Sequence, residues 1–158
     1  LCGGLLTGIL NRRKINEELQ KEYQRAKRYD NSTFSIVLLD VDWFKNINDT
    51  YGHDKGDIVL KEIVSVISSQ LRITDNLARW GGEEFLILCP STDLSGAATI
   101  AKKIQSAIEK NNFSVSHKIT ISGGVCEYNN SLSLDDLIIK ADYKLYEAKS
   151  KGRNQIIL

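Results

Sequence analysis

Arg79-Trp80-Gly81-Gly82-Glu83-Glu84-Phe85 joins two short runs of strand-forming residues, and its reading decides the fold. Asn76 to Trp80 leads into it and Glu84 to Cys89 leads out, so the glycine-bearing link predicts a β-hairpin. Upstream, Phe34 to Leu39 is rich in β-formers and ends at Asp40-Val41-Asp42, which reads as a buried strand terminating in carboxylates. Downstream, Lys118 to Tyr128 is a further strand whose paired glycines predict a bulge or a close backbone approach. Ile156 to Leu158 is a last short strand.

Helical spacing fills the intervals. With Asn11 as N-cap, a helix runs to about Tyr29 on Ile15, Leu19, Tyr23 and Ala26. A short helix follows Trp43, then a polar loop through Gly52-His53-Asp54-Lys55-Gly56-Asp57, then a helix to Leu71 on Ile58, Val59, Ile63, Val66 and Ile67. Leu94 to Asn111 and Leu134 to Lys151 are helices, the second opened by a capping-box-like Ser133-Leu134-Asp135-Asp136 and closed by Gly152. The inner βαββαβ predicts an α+β, ferredoxin-like palm core, a pattern that polymerases and nucleotide cyclases both use. Its sheet is mostly antiparallel, with flanking helices and an extra N-terminal helix. Fold alone fixes no function.

The chain has 158 residues, the size of one domain. Twenty-one Lys and Arg nearly balance 20 Asp and Glu, so the net charge of +1 points to no nucleic-acid polymer and no membrane surface. An anionic ligand must be held by a local cluster. Cys2, Cys89 and Cys126 are scattered without a CxxC pair, which suggests neither a zinc site nor a disulfide framework and fits a reducing, cytoplasmic compartment. Cys89 and Cys126 lie in apolar runs and read as small core residues. No apolar stretch approaches the roughly 18 residues of a membrane span. With no methionine and a Leu1 start, residues 1–158 read as one domain cut from a longer signalling protein, which can itself be membrane-anchored.

Asp40 and Asp42 alternate onto one face of their strand, and in this topology the strand neighbours the hairpin that carries Glu83 and Glu84. Clustered carboxylates repel unless a cation intervenes. Hard oxygen ligands suit Mg²⁺ or Mn²⁺ bridging to substrate phosphates, which implies phosphoryl or nucleotidyl transfer. Taken separately, Asp-x-Asp can simply end a strand and Glu-Glu can simply solubilise a turn.

Five blocks in order make the sequence resemble the GGDEF family of diguanylate cyclases, in its Gly-Gly-Glu-Glu-Phe form. They are Leu6 to Arg13, Asp40 to Asp49, Gly52 to Asp57, Arg79 to Phe85, and Ala141-Asp142 through Lys149 to Asn154. The resemblance implies metal-dependent condensation of two GTP into cyclic di-GMP with release of pyrophosphate, in a homodimer whose half-sites face each other. It implies Asp40, Glu83 and the Val41 carbonyl as metal ligands. Glu83 doubles as the family's candidate base for the ribose 3′-hydroxyl, and a metal-lowered hydroxyl pKa explains the same step equally. The role of Glu84 stays open between ligand and hairpin support.

Lys45 matches the lysine that stabilises the transition state. Backbone N–H groups around Trp43 and Phe44 match a triphosphate cradle at a helix start. Lys149 and Arg153 match the phosphate-contacting pair, Asn48 and Asp57 the guanine readers, and His53 a substrate contact. Gly81 and Gly82 are expected to let backbone press against nucleotide. Arg72-Ile73-Thr74-Asp75 matches the family's inhibitory product-binding motif, a site for cyclic di-GMP. Gly4 stands where the family usually has Asp. Two other readings remain: a catalytically idle receptor for GTP or cyclic di-GMP, and an enzyme making a mixed or adenine-containing product, against which Asp57 speaks.

Overall fold

Residues 8–158 are described by a computed structural model. The readings on Cys2, Gly4 and the Leu6-Thr7 part of the first block lie outside the described residues. The elements run α1 (Arg12–Arg28), β1 (Phe34–Val41), α2 (Phe44–Tyr51), α3 (His53–Gln70), β2 (Asn76–Arg79), β3 (Glu84–Pro90), α4 (Leu94–Lys110), β4 (Ile121–Glu127), α5 (Leu134–Ser150) and β5 (Ile156–Ile157). The five strands form one sheet in the order β2-β3-β1-β4-β5, antiparallel except for the parallel β4–β5 pair. The expected α+β architecture is present, with β1 beside the β2–β3 hairpin.

Strand alternation splits the core in two. Val37, Leu39, Val41, Phe85 and Ile87 face α3 and α4, whereas Ile36, Leu38, Leu86 and Leu88 face α1 and α5. All eight residues of β1 are buried, as a strand covered on both faces requires. The same alternation turns Asp40 to the α5 face, opposite Glu84 on β3 and Ser122 on β4.

Local signals explain the helix ends. Asn11, Asp93 and Ser133 each accept a backbone N–H from three residues on, which opens α1, α4 and α5. Past α5, Gly152 takes φ +113°, and Arg153 N–H reaches back to the Ala148 carbonyl at 3.0 Å, closing a Schellman turn.

One expectation is corrected and one alternative is decided. Residues 53–57 are not a polar loop but the first turns of α3, because Gly52 at φ +87° bends the chain from α2 straight into the next helix. The polar residues there occupy the solvent side, which a hydropathy pattern cannot separate from a loop. The β4 glycines carry no bulge, since pairing with β1 runs unbroken from Ser35 to Val41. They serve a close approach: a Cβ on Gly124 would strike the Ala141 carbonyl and lie 2.7 Å from Leu145 N in α5.

Candidate active site

The end of β1 and the β2–β3 hairpin meet through the backbone. Val41 N–H donates to the Glu83 carbonyl at 3.2 Å, and Trp80 and Gly81 N–H both donate to the Glu84 carbonyl. Arg79 cups the turn from beneath, its guanidinium donating to the Gly81 and Gly82 carbonyls at 2.6–3.2 Å. Arg12 covers the other side, 3.8 Å from the Trp80 ring centroid, with Nη1 donating to the Trp80 carbonyl at 2.9 Å. Neither arginine was singled out from sequence, although both stand inside the matched blocks. Their signal was an arginine flanking a turn rich in outward carbonyls.

Asp40 is 7% exposed, and its two oxygens differ. Oδ2 accepts from Lys149 Nζ at 2.9 Å across from α5, while Oδ1 is buried without a hydrogen-bond partner. Burial drives the Asp40 pKa up to about 6; Lys149 pulls it back, and Glu83 and Glu84 push it further up. Glu84 is also raised, by burial first and then by Asp142 and Glu83. Asp40, Glu83, Glu84 and Lys149 thus share one electrostatic neighbourhood.

Asp42 belongs to a different assembly. Its carboxylate accepts from Thr120 Oγ1 and Ser122 Oγ, both at 2.7 Å, and from Asn154 N–H at 3.0 Å. It ties the end of β1 to the start of β4 and to the chain entering β5, so its oxygens are already engaged.

Trp43, at φ +57°, turns the chain into α2 with no side chain capping the helix, leaving the first N–H groups of α2 without an intrahelical partner. The Phe44 side chain is core, so only its backbone is available to a ligand. Lys45 is exposed one residue later. Asn48 Oδ1 fills the space that a Cβ on Gly56 would take, which brings Asn48 beside the α3 turn carrying exposed Asp57. His53 is exposed at the start of α3. Arg153 sits over Trp43, its Cζ 3.9 Å from the ring centroid.

Nothing within 4 Å would meet a Cβ on Gly82, and at Gly81 the nearest atom is the mobile end of Glu84. The chain itself therefore does not require glycine at either position, and any steric need comes from a bound molecule. Among the described residues, no three or more His, Cys, Asp and Glu side chains are gathered as a metal cage.

Arg72 and Asp75 stand apart from this cluster, near the opposite end of β3, roughly 20 Å along the strand at 3.3 Å per residue. Arg72 donates to Asp75 through its backbone N–H at 2.8 Å and its guanidinium at 3.2–3.3 Å, and to Thr92 Oγ1 at 2.5 Å. The Asp75 side chain is fully buried beneath it. Cys89 lies close enough to feel both charges, but burial dominates and pushes its thiol up to about 12, in keeping with a core residue. Cys126 is likewise buried and free.

Comparison with known proteins places this geometry. The family described as "Diguanylate cyclase, GGDEF domain" matches residues 5–155, and the chain belongs to it. Diguanylate cyclase A of Treponema denticola is 45% identical over 130 residues, 80% of this chain and 35% of that protein. The diguanylate cyclase SiaD of Pseudomonas aeruginosa, solved with its activator SiaC, superposes with a TM-score of 0.90 at 39% identity, covering 96% of this chain and 59% of that one. The GGDEF domain of DgcB from Caulobacter crescentus, solved in complex with c-di-GMP, gives 0.90 at 32% identity, over 96% and 92%. The chain spans between 35% and 44% of the length of the first curated relatives it matches. No helix among the described residues is long and apolar enough to cross a membrane.

Proposed function

We propose that the chain is one catalytic domain of a longer signalling protein, a diguanylate cyclase of the cytoplasm. Two copies face each other, each holding one GTP; each ribose 3′-hydroxyl attacks the other nucleotide's α-phosphorus and expels pyrophosphate, giving cyclic di-GMP. One observation carries the reading. Asp40 Oδ1 is buried and unpartnered beside Glu83 and Glu84, a situation that a hard cation relieves.

Asp40 and Glu83, with the Val41 carbonyl, are the residues that would hold Mg²⁺ or Mn²⁺. Two carboxylates and a carbonyl suit Mg²⁺, which keeps few protein ligands. When bound, such a metal lowers the pKa of the 3′-hydroxyl and neutralises phosphate charge.

The chain's own residues do the rest. The uncapped start of α2 offers N–H groups and a positive dipole end to the triphosphate. Lys45, Lys149 and Arg153 offset the charge that builds on the phosphates. Asn48 and Asp57 read guanine; a carboxylate accepting from N1–H and N2–H₂ disfavours adenine, which has no such donor pair. His53 borders the base. Arg72 and Asp75, remote from the carboxylates, form a product site for feedback inhibition. The c-di-GMP complex of a 32% identical relative supports binding of that molecule.

Incubation with GTP and Mg²⁺ at several protein concentrations, with chromatographic identification of product, tests the reading. Cyclic di-GMP is expected, formed faster per chain as concentration rises. Glu83→Ala should abolish product while circular dichroism stays unchanged; undiminished turnover would sink the metal assignment. Wild-type chain that binds GTP or cyclic di-GMP without turnover would instead mark an idle receptor.

A further inference from the structure

Trp43 is an anomaly in its own setting. A bulky side chain at φ +57° is rare, and this one is 59% exposed, so burial does not offset the strain. The exposed face is used all the same: the Arg153 guanidinium is stacked over the ring at 3.9 Å. Arg153 is itself at φ +66° and is followed by Asn154 at φ +50°.

The backbone around Arg153 is held from several directions. Its own N–H donates to the Ala148 carbonyl, and Asn154 N–H donates to Asp42 Oδ2 at 3.0 Å and Ser122 Oγ at 3.1 Å. Asn154 Oδ1 accepts from Gln105 in α4 at 2.7 Å, and its amide nitrogen meets Glu109. Asp42, which anchors this loop, is the residue immediately before Trp43. Two strained segments are therefore fastened side by side through one carboxylate, and the product of that fastening is a guanidinium held over an indole next to the uncapped start of α2.

We propose that Trp43 is a positioning residue: its ring is the shelf that holds the Arg153 guanidinium in place for the triphosphate of bound GTP. A free arginine side chain loses rotamer freedom when it grips a ligand, and a prearranged fork loses less of it on binding. Held over Trp43 through its Cζ, the guanidinium keeps its N–H groups for a phosphate. This rests on the reading of Arg153 as a phosphate ligand. Trp43 acts through Arg153 and touches no reacting atom.

The test is a double-mutant cycle on the affinity of the 158-residue chain for 3′-deoxy-GTP with Mg²⁺, which lacks the attacking hydroxyl and so reports binding alone. Trp43→Ala should weaken binding about 2- to 30-fold, the span that a cation–π contact of about 0.5–2 kcal/mol gives at 1.4 kcal/mol per decade. Trp43→Phe should restore most of the loss, since a ring remains. In an Arg153→Ala background, Trp43→Ala should change affinity less than twofold. A full Trp43→Ala loss in that background, or no loss in the wild type, overturns the shelf while leaving Arg153 as a ligand. If Arg153→Ala alone leaves affinity unchanged, the phosphate reading of Arg153 fails, and the shelf with it. Matched melting temperatures across the set separate these outcomes from unfolding.

Discussion

Asp40→Asn, in the metal-free chain, should stabilise the fold at neutral pH while removing a proposed metal ligand. Burial raises the Asp40 pKa from 3.8 to about 6 even with Lys149 at 2.9 Å. A carboxylate whose folded pKa exceeds its unfolded value binds more protons in the folded state between the two. Stability therefore falls as pH rises through that window, here between about 4 and 6. Some two units at 1.36 kcal/mol each make the penalty at pH 7 about 3 kcal/mol. Asparagine keeps the shape and carries no charge. It gives up the pair with Lys149, whose side chain is 28% exposed and regains water.

The net gain at pH 7.5 should be about 2 kcal/mol, or roughly 4–8 °C in Tm for a domain of this size. At pH 4 the gain should vanish. Urea unfolding of both proteins in EDTA from pH 4 to 7.5 measures it, and subtracting one curve from the other cancels the titration of groups they share. A difference that stays flat with pH, or an Asn variant less stable at pH 7.5, would refute the assignment of a buried, charge-frustrated Asp40. Added Mg²⁺ should narrow the difference from the wild-type side, because the cation relieves the same frustration.

Gly124→Ala should be costly although the change is one methyl, because the new Cβ meets the backbone of α5 rather than a mobile side chain. A loss of about 2–3 kcal/mol is expected by denaturant titration, and a variant within 0.5 kcal/mol of wild type, taken as a rough error, would mean that α5 shifts freely. Arg72→Ala should relieve product inhibition of turnover and also lower stability by about 1–3 kcal/mol, since it strands the buried Asp75 carboxylate. An unchanged inhibition curve would remove Arg72 from the product site.

Much of the fold was legible because its signals are local. Strand composition, the glycine hairpin and the caps at Asn11 and Ser133 each act within a few residues, and the sheet order follows from the ferredoxin-like sequence of elements. The start of α3 was not legible, because a hydrophilic first turn and a hydrophilic loop share one composition, and the φ of Gly52 alone separates them. The acidic residues of the site could be named from their spacing, and the family resemblance singled out Asp40, but spacing alone gave no physical reason to prefer it over Asp42. Asp40 and Asp42 look equivalent along the strand. Only the approach of Thr120, Ser122 and Asn154, from 78 to 112 residues away, engages Asp42 and leaves Asp40 Oδ1 bare.

The chain's own order of residues thus determined the family, the elements and the acidic and basic inventory of the site. Tertiary structure decided which of those charges meet. It set Lys149 on Asp40, Arg153 on Trp43, and Arg72 on Asp75 at the far end of β3. The physical reason is range: caps and turns are written in neighbouring residues, whereas desolvation and Coulomb coupling depend on which distant side chains the packed sheet and helices bring within a few ångströms.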